Sequence, residues 1–190
     1  MKSNEIRLFR EKLEQDQENL NIRRQFHEQY EWLEGYWNGR YRGNNHIDQF
    51  DREFGDYFWN LGELRDLVRD LASYPPIGSS KSNFDSTITI QRATYYLRFS
   101  TNLYEIEFPM DSDNDKEIAN EWNKSAFNGS LTIVKQIRDN LFHGRKAELS
   151  EPQYTRNKEL ISMGVRITNL ILEKLEDVEN QKISIKKMKI

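Results

Sequence analysis

The chain contains no cysteine. Disulfides, thiolate metal sites and cysteine nucleophiles are therefore all excluded. Long apolar runs are missing too: no stretch approaches the roughly 20 residues needed to span a bilayer, which predicts a chain with no membrane partner. The start, MKSNEIRLFREKLEQDQ, lacks the apolar segment of a secretion signal, so a cytoplasmic location is expected. Charge of one sign is not in excess, because the net charge is only −3. Nothing in that balance draws the whole molecule to nucleic acid, and such a site would have to be a local basic patch. What the sequence does have is bulk for burial: 36% of its 190 residues are hydrophobic, with 4 Trp, 9 Tyr and 10 Phe. That suffices for one core and argues against disorder throughout.

The pattern along the chain is helical. Residues 4–34 are rich in Glu, Gln, Arg and Leu, and contain no Gly or Pro. Ile6, Phe9, Leu13, Leu20, Phe26, Tyr30 and Leu33 give them an apolar side. The three glycines of GYWNGRYRGNN predict a break after it. A second helix is expected over 47–73, ended by YPPIGSSKSN, whose prolines cannot continue it. Residues 84–106 are mixed. STITI alternates like a strand, whereas QRATYYLRFSTNLYEI has helical spacing, and without a partner strand the segment reads as helix. PMDSDND reads as a loop, followed by helices over 114–143 and 153–180. The expected architecture is an all-α helical bundle, one domain over 1–180 with a basic tail at 181–190.

Three stretches invite a chemical reading. Asp111, Asp113 and Asp115 have the alternate spacing of a calcium loop, but Lys116 and Trp122 stand where the turn glycine and the closing glutamate belong. No metal site is expected there. Tyr36, Trp37 and Tyr41 are mixed with Arg40 and Arg42, a combination able to stack on single-stranded nucleic acid; the plainer reading is a loop whose aromatics tuck under the bundle. The third stretch is TIVKQIRDNLFHGRK, with one of only three histidines in the chain. Ile133, Val134, Ile137 and Leu141 place Arg138 on a helix, and Gly144 directly after His143 is a natural helix terminator. The helix dipole favours a protonated imidazole at such an end, and Asp139, one turn earlier, is able to orient the ring. Arg138 and His143 stand about 140° apart around an ideal helix, so one helix alone does not make them converge.

IRDNLFHGRK resembles the motif of the HEPN superfamily, small helical-bundle proteins many of which are metal-independent ribonucleases marked by Arg-x4–6-His. The match extends to the amphipathic stretch RNKELISMGVRITNLILEKL that follows, and covers about residues 114–178. Where family members often have Asn directly after the Arg, this chain has Asp139 and then Asn140. Arg40 and His46 also satisfy the spacing, but in a glycine-rich stretch where the family would not place it.

The resemblance implies an endoribonuclease needing no cofactor. His143 would move a proton of the ribose 2′-hydroxyl or of the leaving oxygen, and Arg138 would steady the phosphate charge. Asn140 would add a hydrogen bond, and Asp139 would hold the imidazole. Lys135, Arg145 and Lys146 would supply the basic patch for RNA, with a steep salt dependence. The family's habits further imply a homodimer with a composite site, and a toxin or phage-defence role. They also imply an antitoxin partner of nucleotidyltransferase type. A non-catalytic module of the same fold, binding a nucleotide, RNA or protein, is the alternative.

Overall fold

The computed structural model describes residues 3–74, 84–101, 103, 112–142 and 151–188. Their regular elements are all helices: α1 (Ser3–Gln15), α2 (Gln17–Arg40), α3 (His46–Asn60), α4 (Gly62–Ser73), α5 (Phe84–Ser100), α6 (Ser112–Asn120), α7 (Ala126–Phe142) and α8 (Glu151–Met188). The expected all-α bundle forms, and the ambiguous STITI segment lies in α5.

Several expected helices are divided. The 4–34 stretch splits at Asp16, whose carboxylate takes the Asn19 N–H at 2.9 Å and so caps the start of α2. The 47–73 stretch turns at Leu61, in an extended conformation, to start α4. Between α6 and α7, Ser125 Oγ accepts the Asn128 N–H at 2.9 Å. Two other boundaries move the opposite way. α6 begins at Ser112, inside the expected PMDSDND loop and two residues before the expected helix start at 114, and α8 continues to Met188.

α2 also runs through Gly35 and Gly39 to Arg40, past the expected break. A helical glycine costs roughly 1 kcal/mol relative to alanine. Packing of the neighbouring Trp37, 2% exposed, offsets that. The turn comes later, where Gly43 takes a φ of +82° that suits glycine.

The core is aromatic around α3. Phe50 lies against Trp37, Phe54, Phe58 and Phe127, with ring centroids 5.3–5.8 Å apart. Phe58 stacks on Phe127 at 5.1 Å. Each buried ring of this kind contributes on the order of 1.5–3 kcal/mol. α2 packs extensively on α8, and α5 on α7. The α2–α8 seam is close enough that a Cβ at Gly164 would sit 2.8 Å from the Phe26 ring. Its polar groups are paired across the seam. Gln29 Nε2 donates to Asn169 Oδ1 and Thr168 Oγ1 donates to Gln29 Oε1, both at 2.9 Å. Buried Arg98 of α5 closes the end of α4 by donating to the carbonyls of Ala72 and Tyr74. This frame fixes how α2 and α7 meet.

Candidate functional site

α7 buries Ile133, Val134 and Ile137, which carries Lys135, Arg138 and Asp139 to the rim of the bundle. Arg138 is three-quarters buried there. Its Nη2 donates to Glu34 Oε2 of α2 at 3.0 Å, and its Nη1 to Asp139 Oδ1 at 3.1 Å. The guanidinium carbon sits 5.3 Å from the centroid of the Tyr30 ring. The other Asp139 oxygen holds Lys135 Nζ at 2.5 Å. Asp139 thus engages two cations of its own helix. Asn140 Oδ1 accepts from Gln136 at 3.0 Å, while its buried Nδ2 has no partner among the described residues. Of the predicted site, Lys135, Arg138, Asp139 and Asn140 are brought together on α7. His143, Arg145 and Lys146 lie outside the described residues.

Beside Arg138 is a cleft of about 240 Å³, walled by Tyr30, Glu34 and Trp37 of α2, by residues 44–48 at the start of α3, and by Lys124, Thr132 and Lys135. Tyr30 and Glu34 belong to both places. Burial pushes the Tyr30 phenol far above its ordinary value, and the Glu34 and Asp139 charges push it further, so it remains an O–H group. Tyr30 and Glu34 were missed as site residues in the sequence, and Trp37 was read there only with the aromatics around Arg40. Tyr30, Glu34 and Trp37 follow helical spacing, and nothing separates them from an ordinary core stripe until α7 is laid across them.

The aromatic stretch around Arg40 is structural. Trp37 is in the core, and Tyr36 and Tyr41 lie edge-on to Phe50. Arg40 donates through Nε and Nη2 to Glu53, at 3.0 and 2.5 Å, and through Nη1 to Glu179 at 2.6 Å. The Tyr41 and Tyr36 hydroxyls complete the same carboxylates. Arg40 and Arg42 of the group reach the surface, and among the described residues no hydrogen bond ties the Arg42 side chain as Glu53 and Glu179 tie Arg40. Asp113 and Asp115 lie within α6. Among the described residues no group of His, Asp or Glu has the arrangement to hold a metal ion, and no helix is long and apolar enough to cross a membrane.

No family model, curated protein or solved structure matches this chain.

Proposed function

We propose that the protein is a metal-independent endoribonuclease of HEPN type, acting as a toxin or phage-defence effector. The observation that carries this reading is Arg138. A guanidinium near the end of α7 is held three-quarters buried between Glu34 and Asp139, above Tyr30, five residues ahead of His143. Such a group is positioned before substrate arrives, which is what electrostatic stabilisation of a phosphate requires. His143 removes the proton of the ribose 2′-hydroxyl, or protonates the leaving oxygen, as that hydroxyl attacks phosphorus. The bond to the 5′ oxygen breaks, leaving a 2′,3′-cyclic phosphate and a 5′-hydroxyl. Arg138 balances the charge gathering on the phosphate, and the unbonded Asn140 Nδ2 is a further donor. DNA, without the 2′-hydroxyl, is no substrate. An antitoxin of nucleotidyltransferase type fits this role as a restraining partner.

The working unit is a homodimer. Arg138 and His143 diverge by about 140° on an ideal helix, and a two-fold axis near the helix end lets each meet its counterpart. One observation favours binding without cleavage instead: Arg138 already faces two carboxylates, which a phosphate must displace. RNA incubated with the wild type and His143→Ala, above and below the concentration at which the dimer dissociates, separates the readings. Cutting that follows the dimer and vanishes in the variant is expected. A sedimenting monomer that cuts at full rate overturns the composite site, and RNA bound but never cut favours the binding module.

A further inference from the structure

Two hydrogen-bond donors of the cleft beside Arg138 have no acceptor among the described residues. Tyr30 is 1% exposed and Trp37 2%, and both line it. Neither the Tyr30 hydroxyl nor the Trp37 indole N–H has a hydrogen-bond partner among the described residues. A buried donor left unbonded is costly and uncommon, so two in one cleft call for an acceptor from outside. A third set of donors is backbone. α3, fifteen residues long, begins in the cleft wall, and Asn45 makes no side-chain cap there. The N–H groups of its first turn, at His46, Ile47 and Asp48, therefore lack intrahelical acceptors and carry the positive end of the helix dipole.

Lys124 and Lys135 stand in the same wall. The two carboxylates beside them are committed, Glu34 to Arg138 and Asp48 to Lys124 and Asn128. Lys124 is paired with Asp48 and Lys135 with Asp139, so the charged side chains of the wall balance. What the cleft offers a ligand is the two neutral donors and the first turn of α3. Burial keeps Tyr30 protonated, hence a donor. The cleft, about 240 Å³ and open to the surface, has room for a phosphate group.

We propose that this cleft binds a phosphate ester, held by the first turn of α3, the Tyr30 hydroxyl, the Trp37 indole N–H and Lys124. Tyr30 and Glu34 border both the cleft and Arg138. Resting on the ribonuclease reading, the bound group is a phosphate of the RNA strand neighbouring the one that is cut. A free nucleotide carries the same chemistry.

The test follows the Trp37 indole N–H resonance of the full chain, assigned by its loss in Trp37→Phe. The probes are adenosine monophosphate, inorganic phosphate and a short RNA made uncleavable by 2′-O-methylation. The resonance should move and saturate with each phosphate-bearing probe. Tighter binding of the RNA identifies a strand site, and tighter binding of the mononucleotide a nucleotide site. Tyr30→Phe should weaken binding about tenfold. Asn45→Asp caps α3 and sets a negative charge against the phosphate, so affinity should fall while the melting temperature does not. No movement of the resonance with any probe overturns the proposal, as does unchanged affinity in folded Tyr30→Phe and Asn45→Asp. The outcome is separate from that of the ribonuclease reading. Saturation without RNA cutting keeps the cleft and removes the nuclease, whereas cutting without saturation does the reverse.

Discussion

Arg40 and Arg138 belong to the two places in this chain where Arg and His share the same loose spacing, and both lean on a tyrosine ring, at 5.6 and 5.3 Å. Each also takes a glutamate from another helix. Their surroundings differ. Arg40 spends Nε, Nη1 and Nη2 on Glu53 of α3 and Glu179 of α8, and the remaining demand of those carboxylates is met by tyrosine hydroxyls. The network ties three helices. Arg138, held by Glu34 of α2 and its neighbour Asp139 among others, borders a cleft in which the Tyr30 hydroxyl and the Trp37 indole N–H lack partners among the described residues. A network set between packed helices stabilises a fold, while one beside a cleft is placed to meet a ligand. The spacing in sequence is blind to that distinction.

The comparison breaks most visibly if the two arginines are exchanged in role. Arg138→Ala should lower RNA cutting about 100- to 1,000-fold and leave a folded bundle, read by cleavage rate and circular dichroism. Arg40→Ala should leave cutting per folded molecule within about threefold. It should instead lower stability in urea melts by about 1–2 kcal/mol, a figure discounted because the side chain is 33% exposed. Equal losses of cutting in both would erase the distinction.

Acid sharpens it further, through two aspartates on α3. Burial works to raise the Asp48 carboxyl, but hydrogen bonds from Lys124 and Asn128 outweigh it and hold the group below the ordinary 3.8. Burial raises Asp51 above that value, with Ser125 opposing. The stabilisation from Asp48 is therefore present above about pH 3.8 and lost as pH falls through its lowered value, whereas that from Asp51 is present below 3.8 and lost as pH rises through its raised one. Urea melts from about pH 6 down to about pH 3 should show a shallower acid loss in Asp48→Asn, by less than about 1 kcal/mol. They should also show Asp51→Asn no less stable than wild type at pH 6. An unchanged acid slope in Asp48→Asn would remove its ion pair from the account.

The smallest effect belongs to Glu34. Glu34→Gln removes the carboxylate that a phosphate must displace, and RNA affinity should rise about two- to fivefold by filter binding. Glu53→Gln, inside the Arg40 network, should leave that affinity unchanged.

The helical class was legible in the sequence because apolar residues recur at helical spacing and few glycines or prolines intervene. The divisions were not. Asp16 sits among good helix formers, and the Tyr154 and Lys158 side chains of α8 that also reach its carboxylate are far off in sequence. Gly35 and Gly39 looked like a break, and the burial of Trp37 overrode them. At the site, Lys135, Arg138, Asp139 and Asn140 were readable since one helix carries them all. Glu34 stands 104 residues from Arg138, so its claim on the guanidinium appears only once α2 and α7 pack. The Tyr30 and Trp37 donors are hidden in the same way, since in sequence they are core aromatics.

The most direct measurement is the appearance of 2′,3′-cyclic phosphate ends in total RNA incubated with purified protein in excess EDTA, beside Arg138→Ala and His143→Ala. The account predicts that the wild type makes these ends at the same rate with and without EDTA, and that both variants fail to make them. Cutting that is lost in EDTA and restored by magnesium, or that persists at the wild-type rate in His143→Ala, would contradict it.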